Sequence, residues 1–365
     1  MTCTYLYSKT DIKEIDKYTK FFYDIFENAM QEITSTNLLI NKYIGVEDNL
    51  ISENKWIPLE IYKFINESKK DIFEINTVIN ERNINLQFIC FINKTKDNIL
   101  YYSTCSLLVI YLLSFFSNIN CSKNMKIRVF LTPFKKIAPK DMTQVLDTAE
   151  VNTGYSTVGC NEYSEITIYR DEEWFKVLIH ELMHNFDLDF SSIDYTSIKE
   201  NISQLFTFKS NYEISETYAE SWGRIINVLV FSYQLSNNYN DFSKSFLVNI
   251  NKEREFALQQ ASIILERMHI TAIYKEKTNV FCYYILTSAI LNNYLRFFNW
   301  CNSNNNNLLD FTKEIKMVKS FADLIIDSIQ DPRFIKSLTC SDYLKAKELK
   351  DSLKMTIIDA IRIKN

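Results

Sequence analysis

Apolar residues recur at helical spacing through most of the first 84 positions. Lys17–Thr34 (KYTKFFYDIFENAMQEIT) and Leu59–Arg82 carry them three and four apart, which predicts a helix over each. The pattern then changes. Asn85–Ile92 (NLQFICFI) reads as a strand, Ile99–Phe116 as a long apolar helix and Lys126–Leu131 (KIRVFL) as a second strand. Residues 133–164 have no clear period. They hold Pro133, Pro139, Gly154 and Gly159, half of the chain's four prolines and four glycines, so turns concentrate there. A short alternating strand, Glu165–Tyr169, precedes a helix that starts at about Asp171. A further helix is expected from about Ile214 to Leu235. The remainder, about 240–365, reads as helical, with a polar connector at Asn302–Asn307. The sum is an α+β fold, predominantly helical. A core with a small mixed sheet spans 85–236, between an N-terminal helical region (1–84) and a C-terminal helical region (237–365).

Between Asn98 and Ser122 there is no charged residue, and the length would suffice for a membrane span. Ser103, Thr104, Ser106, Ser114 and Ser117 interrupt the stretch, and no Lys/Arg cluster marks either flank. A helix buried between two strands fits better, and no span is expected. With 41 Lys+Arg against 45 Asp+Glu the net charge is −4, so no broad phosphate-reading face and no nucleic-acid partner are expected. Four glycines are far below the roughly 25 of average usage, and no GxGxxG or GxxxxGK phosphate loop can be drawn from them. Ile, Asn, Lys, Tyr and Phe are abundant instead, a bias towards AT-rich codons. The eight cysteines (3, 90, 105, 121, 160, 282, 301 and 340) form no CxxC pair, and their spacing suggests no disulfide framework. The polar start MTCTYLYSKTDIKEIDKY lacks the apolar run of a signal peptide. Reduced thiols in a cytoplasm-like compartment are therefore expected.

One segment changes the picture. Asp171–Phe190, DEEWFKVLIHELMHNFDLDF, contains His180-Glu181-Leu182-Met183-His184, an HExxH. Histidines four apart on a helix are separated by about 400° of rotation, so both imidazoles leave from one face. Two neutral imidazoles can then hold one Zn²⁺. Glu181 can reach a water at the metal without reaching the metal itself, the position a general base needs. With only three histidines in the chain, two of them here, a chance HExxH is roughly a one-in-a-thousand event. Asp171, Glu172 and Glu173 are expected in the first helical turn, where they would complement the helix dipole.

A hydrolytic zinc site needs a third protein ligand and an open position. About 30 residues downstream, NYEISETYAESWGRIIN places Glu216 and Glu220 four apart on one helical face. One can bind the metal while the other hydrogen-bonds a ligand histidine. HELMH followed by Glu216-Thr217-Tyr218-Ala219-Glu220 resembles the gluzincins, and among them the lethal-factor-type metalloproteases with their E-x-aromatic-A-E. The resemblance implies a zincin-like core, one zinc per chain held by His180, His184 and Glu216, and Glu220 in the supporting role. It covers about residues 150–230. More loosely, VNTGYST, EEWFKVLIHELMHNF and ETYAESWGRIIN together resemble uncharacterised metallopeptidase-like proteins of large DNA viruses, which would place the protein in host cytoplasm or virion. No Gly or third His follows HELMH, so the metzincin pattern is absent.

The resemblance implies hydrolysis of a peptide or protein substrate, with Glu181 moving the proton. An edge strand beside the active-site helix would pair with extended substrate, and Glu165–Tyr169 is expected in that role. A catalytically silent structural or interaction protein with a zincin-like fold is the rival reading, although such a site has no need of Glu181. A third is a zinc amidohydrolase with Cys160 as a thiolate ligand. Of the remaining residues, Asp187 or Asp189 could orient a ligand imidazole, and Tyr195, Tyr212 or Tyr218 could donate to an oxyanion. His269 reads as an ordinary helix-face histidine.

Overall fold

Helix α1 (Lys9–Ser35) starts at a reciprocal capping box between Ser8 and Asp11 and buries Ile15, Phe22, Ile25, Phe26, Ala29 and Ile33 at three- and four-residue spacing. The structure, a computed structural model, describes residues 8–44, 50–206, 208, 210–271, 273–338 and 351–361. After β1 (Asn41–Ile44) and the short helix α2 (Leu59–Glu67), the chain departs from the expected helix over Leu59–Arg82. Asp71–Ile79 is strand β2, and it turns directly into β3 (Arg82–Cys90). The segment DIFEINTVI is rich in β-branched residues, and burying a hairpin face outweighs its weak helical pattern. Asn80 and Glu81 form the two-residue turn, both with positive φ (44° and 63°), as a tight hairpin demands. The N-terminal region 1–84, read as helical, thus supplies two strands of the sheet.

Helix α3 (Lys96–Phe116) opens with a second capping box, Thr95 with Asn98, and carries the chain from β3 to the parallel strand β4 (Asn124–Leu131). It is the one helix among the described residues long and apolar enough to cross a membrane, and 72% of its apolar window is buried inside the protein. A one-turn helix α4 (Thr148–Val151), strand β5 (Gly154–Ser156) and strand β6 (Tyr163–Ile168) lead to α5 (Trp174–Asn185). The six strands form one mixed sheet in the order β1-β2-β3-β4-β6-β5. Its β3-β4-β6 centre is parallel, and β5 runs antiparallel along the edge. Strand β6, expected as the edge, is therefore interior. The true edge is three residues from the stretch that had looked irregular, too short to show alternation.

The rest is helical: α6 (Thr196–Ser203), α7 (Ile214–Gln234), α8 (Tyr239–Ile270), a π-helical turn (Phe281–Leu286), α9 (Thr287–Asn292), α10 (Tyr294–Asn304), α11 (Ile315–Gln330) and α12 (Pro332–Leu338). The observed fold is α+β and predominantly helical, as expected. One continuous apolar cluster joins the sheet to α1, α3, α5, α7 and the later helices. At its centre, every residue of α5 is buried.

Candidate metal centre

Helix α5 holds its polar residues inside the protein because each has a partner. Its acidic lead-in does not sit in the first helical turn, as expected, but ties neighbouring segments to the helix. Glu172 accepts from the Lys136 backbone N–H, and Glu173, at φ 64°, pairs with Lys136 Nζ at 2.9 Å. Lys176 donates to both carboxylate oxygens of Glu220 at 2.9 Å. These contacts fix the helix from which His180 and His184 project.

The two imidazoles meet α7, which packs alongside. His180 Nε2 lies 3.1 Å from His184 Nε2 and 3.1 Å from Glu216 Oε2, and His184 Nε2 lies 3.4 Å from the same oxygen. These are the separations of ligand atoms around one tetrahedral metal ion, since bonds of about 2.0–2.1 Å give edges of about 3.3–3.4 Å. Without a cation, three lone-pair-bearing atoms would crowd one point. His180, His184 and Glu216 thus form a group, largely buried, that could hold a metal ion. Gly223 on α7 faces His180, where an added Cβ would sit 3.5 Å from His180 Cβ, so the helices approach closely at the site.

The outer imidazole nitrogens are also engaged. Asp189 Oδ2 lies 2.5 Å from His184 Nδ1, and Glu220 Oε2 lies 3.2 Å from His180 Nδ1. A carboxylate on the far nitrogen holds each ring in the tautomer that points Nε2 at the metal position. Burial pulls the His184 pKa down, but Asp189 and Glu216 outweigh it and leave it well above the ordinary value. Burial likewise opposes ionisation of Glu220, and the Lys176 ammonium and His180 overcome it, holding the carboxyl down at about 2. Of the two aspartates offered by the sequence, Asp189 takes the orienting place. Asp187, at φ 57° in the turn after α5, pairs with Lys313 at 2.9 Å instead.

Glu181 stands outside the three-residue group. Its Oε2 accepts a 2.7 Å hydrogen bond from the Ser156 hydroxyl on edge strand β5. That strand rests against α5 at Gly154. A Cβ there would come within 3.0 Å of Thr167 O and of Val177 Cγ1, so only glycine allows this approach. Gly154→Val is expected to push β5 off α5, costing about 1–3 kcal/mol of stability and loosening Ser156 from Glu181. Thermal unfolding measures the first effect, and a wild-type melting temperature would refute it.

The three tyrosines raised by the sequence are all used elsewhere. Tyr195 donates to Glu213, Tyr212 to the Lys199 carbonyl and Tyr218 to the Leu309 carbonyl. The tyrosine at the site is Tyr283, which the sequence did not single out. Its hydroxyl donates to Glu216 Oε2 at 3.1 Å, and its ring lies 5.8 Å from that of His180. It sits in the π-helical turn, a distortion frequent where a side chain is aimed at a functional site. Burial and the nearby Glu216, Glu181 and Glu220 carboxylates raise its pKa well above the ordinary value, so it remains a hydroxyl donor.

Cys160 is no metal ligand, because it forms a disulfide with Cys121. The expectation of reduced thiols fails for this pair. The two lie 39 positions apart in sequence, and the pairing of Asn124 with Tyr163 at the start of β4 and β6 brings their flanking turns together. Cys90, Cys105, Cys282 and Cys301 are free and buried, whereas Cys3 and Cys340 lie outside the described residues. His269 is exposed in the last turn of α8, remote in role from the metal group. No family model matches the chain, and neither a curated protein nor a solved structure matches it.

Proposed function

We propose that the protein is a zinc-dependent metallopeptidase of gluzincin type. The observation that carries this reading is the convergence of His180 Nε2, His184 Nε2 and Glu216 Oε2 at 3.1–3.4 Å, with a carboxylate, Glu181, beside the group but not part of it. A two-imidazole, one-carboxylate donor set suits zinc. A zinc ion held there polarises a carbonyl and acidifies water. Glu181 takes the proton from the attacking water and delivers it to the departing amine. Ser156 holds Glu181 in place for both transfers. The Tyr283 hydroxyl, positioned over the metal group, donates a hydrogen bond to the carbonyl oxygen as negative charge develops on it. Strand β5 offers its outer edge, antiparallel to β6, for extended substrate to pair with. The direct test is elemental analysis of the purified protein together with hydrolysis of a mixed peptide substrate, with and without a chelator. Absence of stoichiometric zinc, or zinc without turnover, would refute the reading.

Tyr283 can be separated from a purely supporting role. Tyr283→Phe is expected to lower kcat by about 10²–10³-fold with zinc content and KM nearly unchanged. A drop in zinc affinity with kcat intact at saturating metal would instead assign Tyr283 to holding Glu216.

A further inference from the structure

A pocket of about 30 Å³ opens beside His180 and Glu181, walled by Lys136, Gly154, Lys176, Val177, Glu220 and Met355. By the same measure one water needs about 10–15 Å³, so the space takes a hydrogen, a methyl or a hydroxymethyl group and no more. Its walls are built to stay. Gly154 and Val177 are in the tight contact that excludes a Cβ. The floor is the Lys176–Glu220 pair, at 2% and 1% side-chain exposure. Met355 closes the far side, with its sulfur 3.4 Å from Lys176 Nζ. The segment carrying it is clamped. Glu173 Oε1 accepts from the Met355 and Thr356 backbone N–H groups at 2.7 and 2.6 Å, and Leu353 N donates to the Lys136 carbonyl at 3.0 Å. Each lysine in the pocket has its own carboxylate, Glu173 for Lys136 and Glu220 for Lys176, so neither a cationic nor an anionic side chain finds an unmatched partner. Glu181, which hands the proton to the departing nitrogen, lines the same pocket. The side chain that enters therefore belongs to the residue supplying that nitrogen.

We propose that this pocket restricts cleavage to bonds whose nitrogen comes from Gly, Ala or Ser, and that Met355 sets the size limit. The assignment rests on the peptidase reading. The test is digestion of a proteome-derived peptide library by the zinc-loaded full chain, with cut sites mapped by mass spectrometry, then kcat/KM on matched Ala and Leu peptides. A misplaced methylene in a packed pocket costs about 10–200-fold, so the Ala peptide should be preferred by about 100-fold or more. Met355→Ala should lower that ratio at least about tenfold by opening the far wall. Val177→Ala opens the opposite wall and serves if the first variant folds poorly; melting temperature and zinc content check both. Cleavage without size preference, or a ratio unchanged in either folded, zinc-loaded variant, overturns the pocket assignment and leaves the peptidase reading standing. No cleavage of any library member by the zinc-loaded wild type overturns the peptidase reading, and this proposal with it.

Discussion

Glu181→Gln is expected to keep its metal and its fold and to lose about 10²–10⁴-fold in turnover. The metal group is His180, His184 and Glu216, and the Glu181 carboxylate is spoken for by the Ser156 hydroxyl rather than by either histidine. Glutamine preserves the side-chain shape and can still accept from Ser156, so neither the packing of α5 nor the ligand set is disturbed. What it cannot do is take a proton from water at neutral pH. Zinc content by elemental analysis, melting temperature and kcat on a cleaved peptide give three independent readings. Loss of metal would place Glu181 among the ligands and refute its role as base. Full turnover would refute it from the other side. A protein that kept the zincin-like arrangement only for structure would show no turnover in the wild type for the substitution to remove.

The residues legible in the sequence are those whose relation is set within one helix. His180, Glu181 and His184 are related by a rotation of α5 that any helix imposes. Glu216 and Glu220 share a face of α7 for the same reason, and only the resemblance to lethal-factor-type enzymes ranked them. The geometry agrees with that ranking: Glu216 Oε2 approaches both Nε2 atoms, whereas Glu220 Oε2 approaches the outer nitrogen of His180. Contacts between elements left no such trace. Tyr283 reaches the site from a π-helical turn nearly 70 positions after Glu216, one of 22 tyrosines with nothing local to mark it. Cys121 and Cys160 are neighbours only because β4 and β6 pair in one particular register. Strand β5 is too short for a period, and its one sequence signal is Gly154, readable as a turn residue until Val177 is seen packed against it. The helix expected over Leu59–Arg82 failed because its second half satisfies two patterns at once, and the hairpin with β3 decides between them.

The choice between Glu216 and Glu220 yields the other large effect. Glu216→Ala leaves two imidazoles, too few for tight binding, and should abolish zinc retention against a competing chelator. Glu220 supports His180 from behind, and Glu220→Gln should cost only about 10–100-fold in affinity. A confounding loss has to be removed first. Glu220 is also the buried partner of Lys176, with both side chains at 2% exposure or less. Breaking a buried pair on one side costs about 3–5 kcal/mol, so Glu220→Gln should melt well below the wild type for a reason unrelated to metal. Replacing both partners, as in Lys176→Met/Glu220→Gln, leaves no unpaired charge and should recover most of the stability. It should not recover the zinc affinity, because His180 Nδ1 still lacks its carboxylate. Chelator titration and thermal melts of the three variants therefore separate the two duties of Glu220. If the double variant regained wild-type affinity, Glu220 would be only an ion-pair partner. If Glu220→Gln lost zinc as completely as Glu216→Ala at saturating metal, Glu220 would be the ligand, and the family register would be carried over one helical turn out of place.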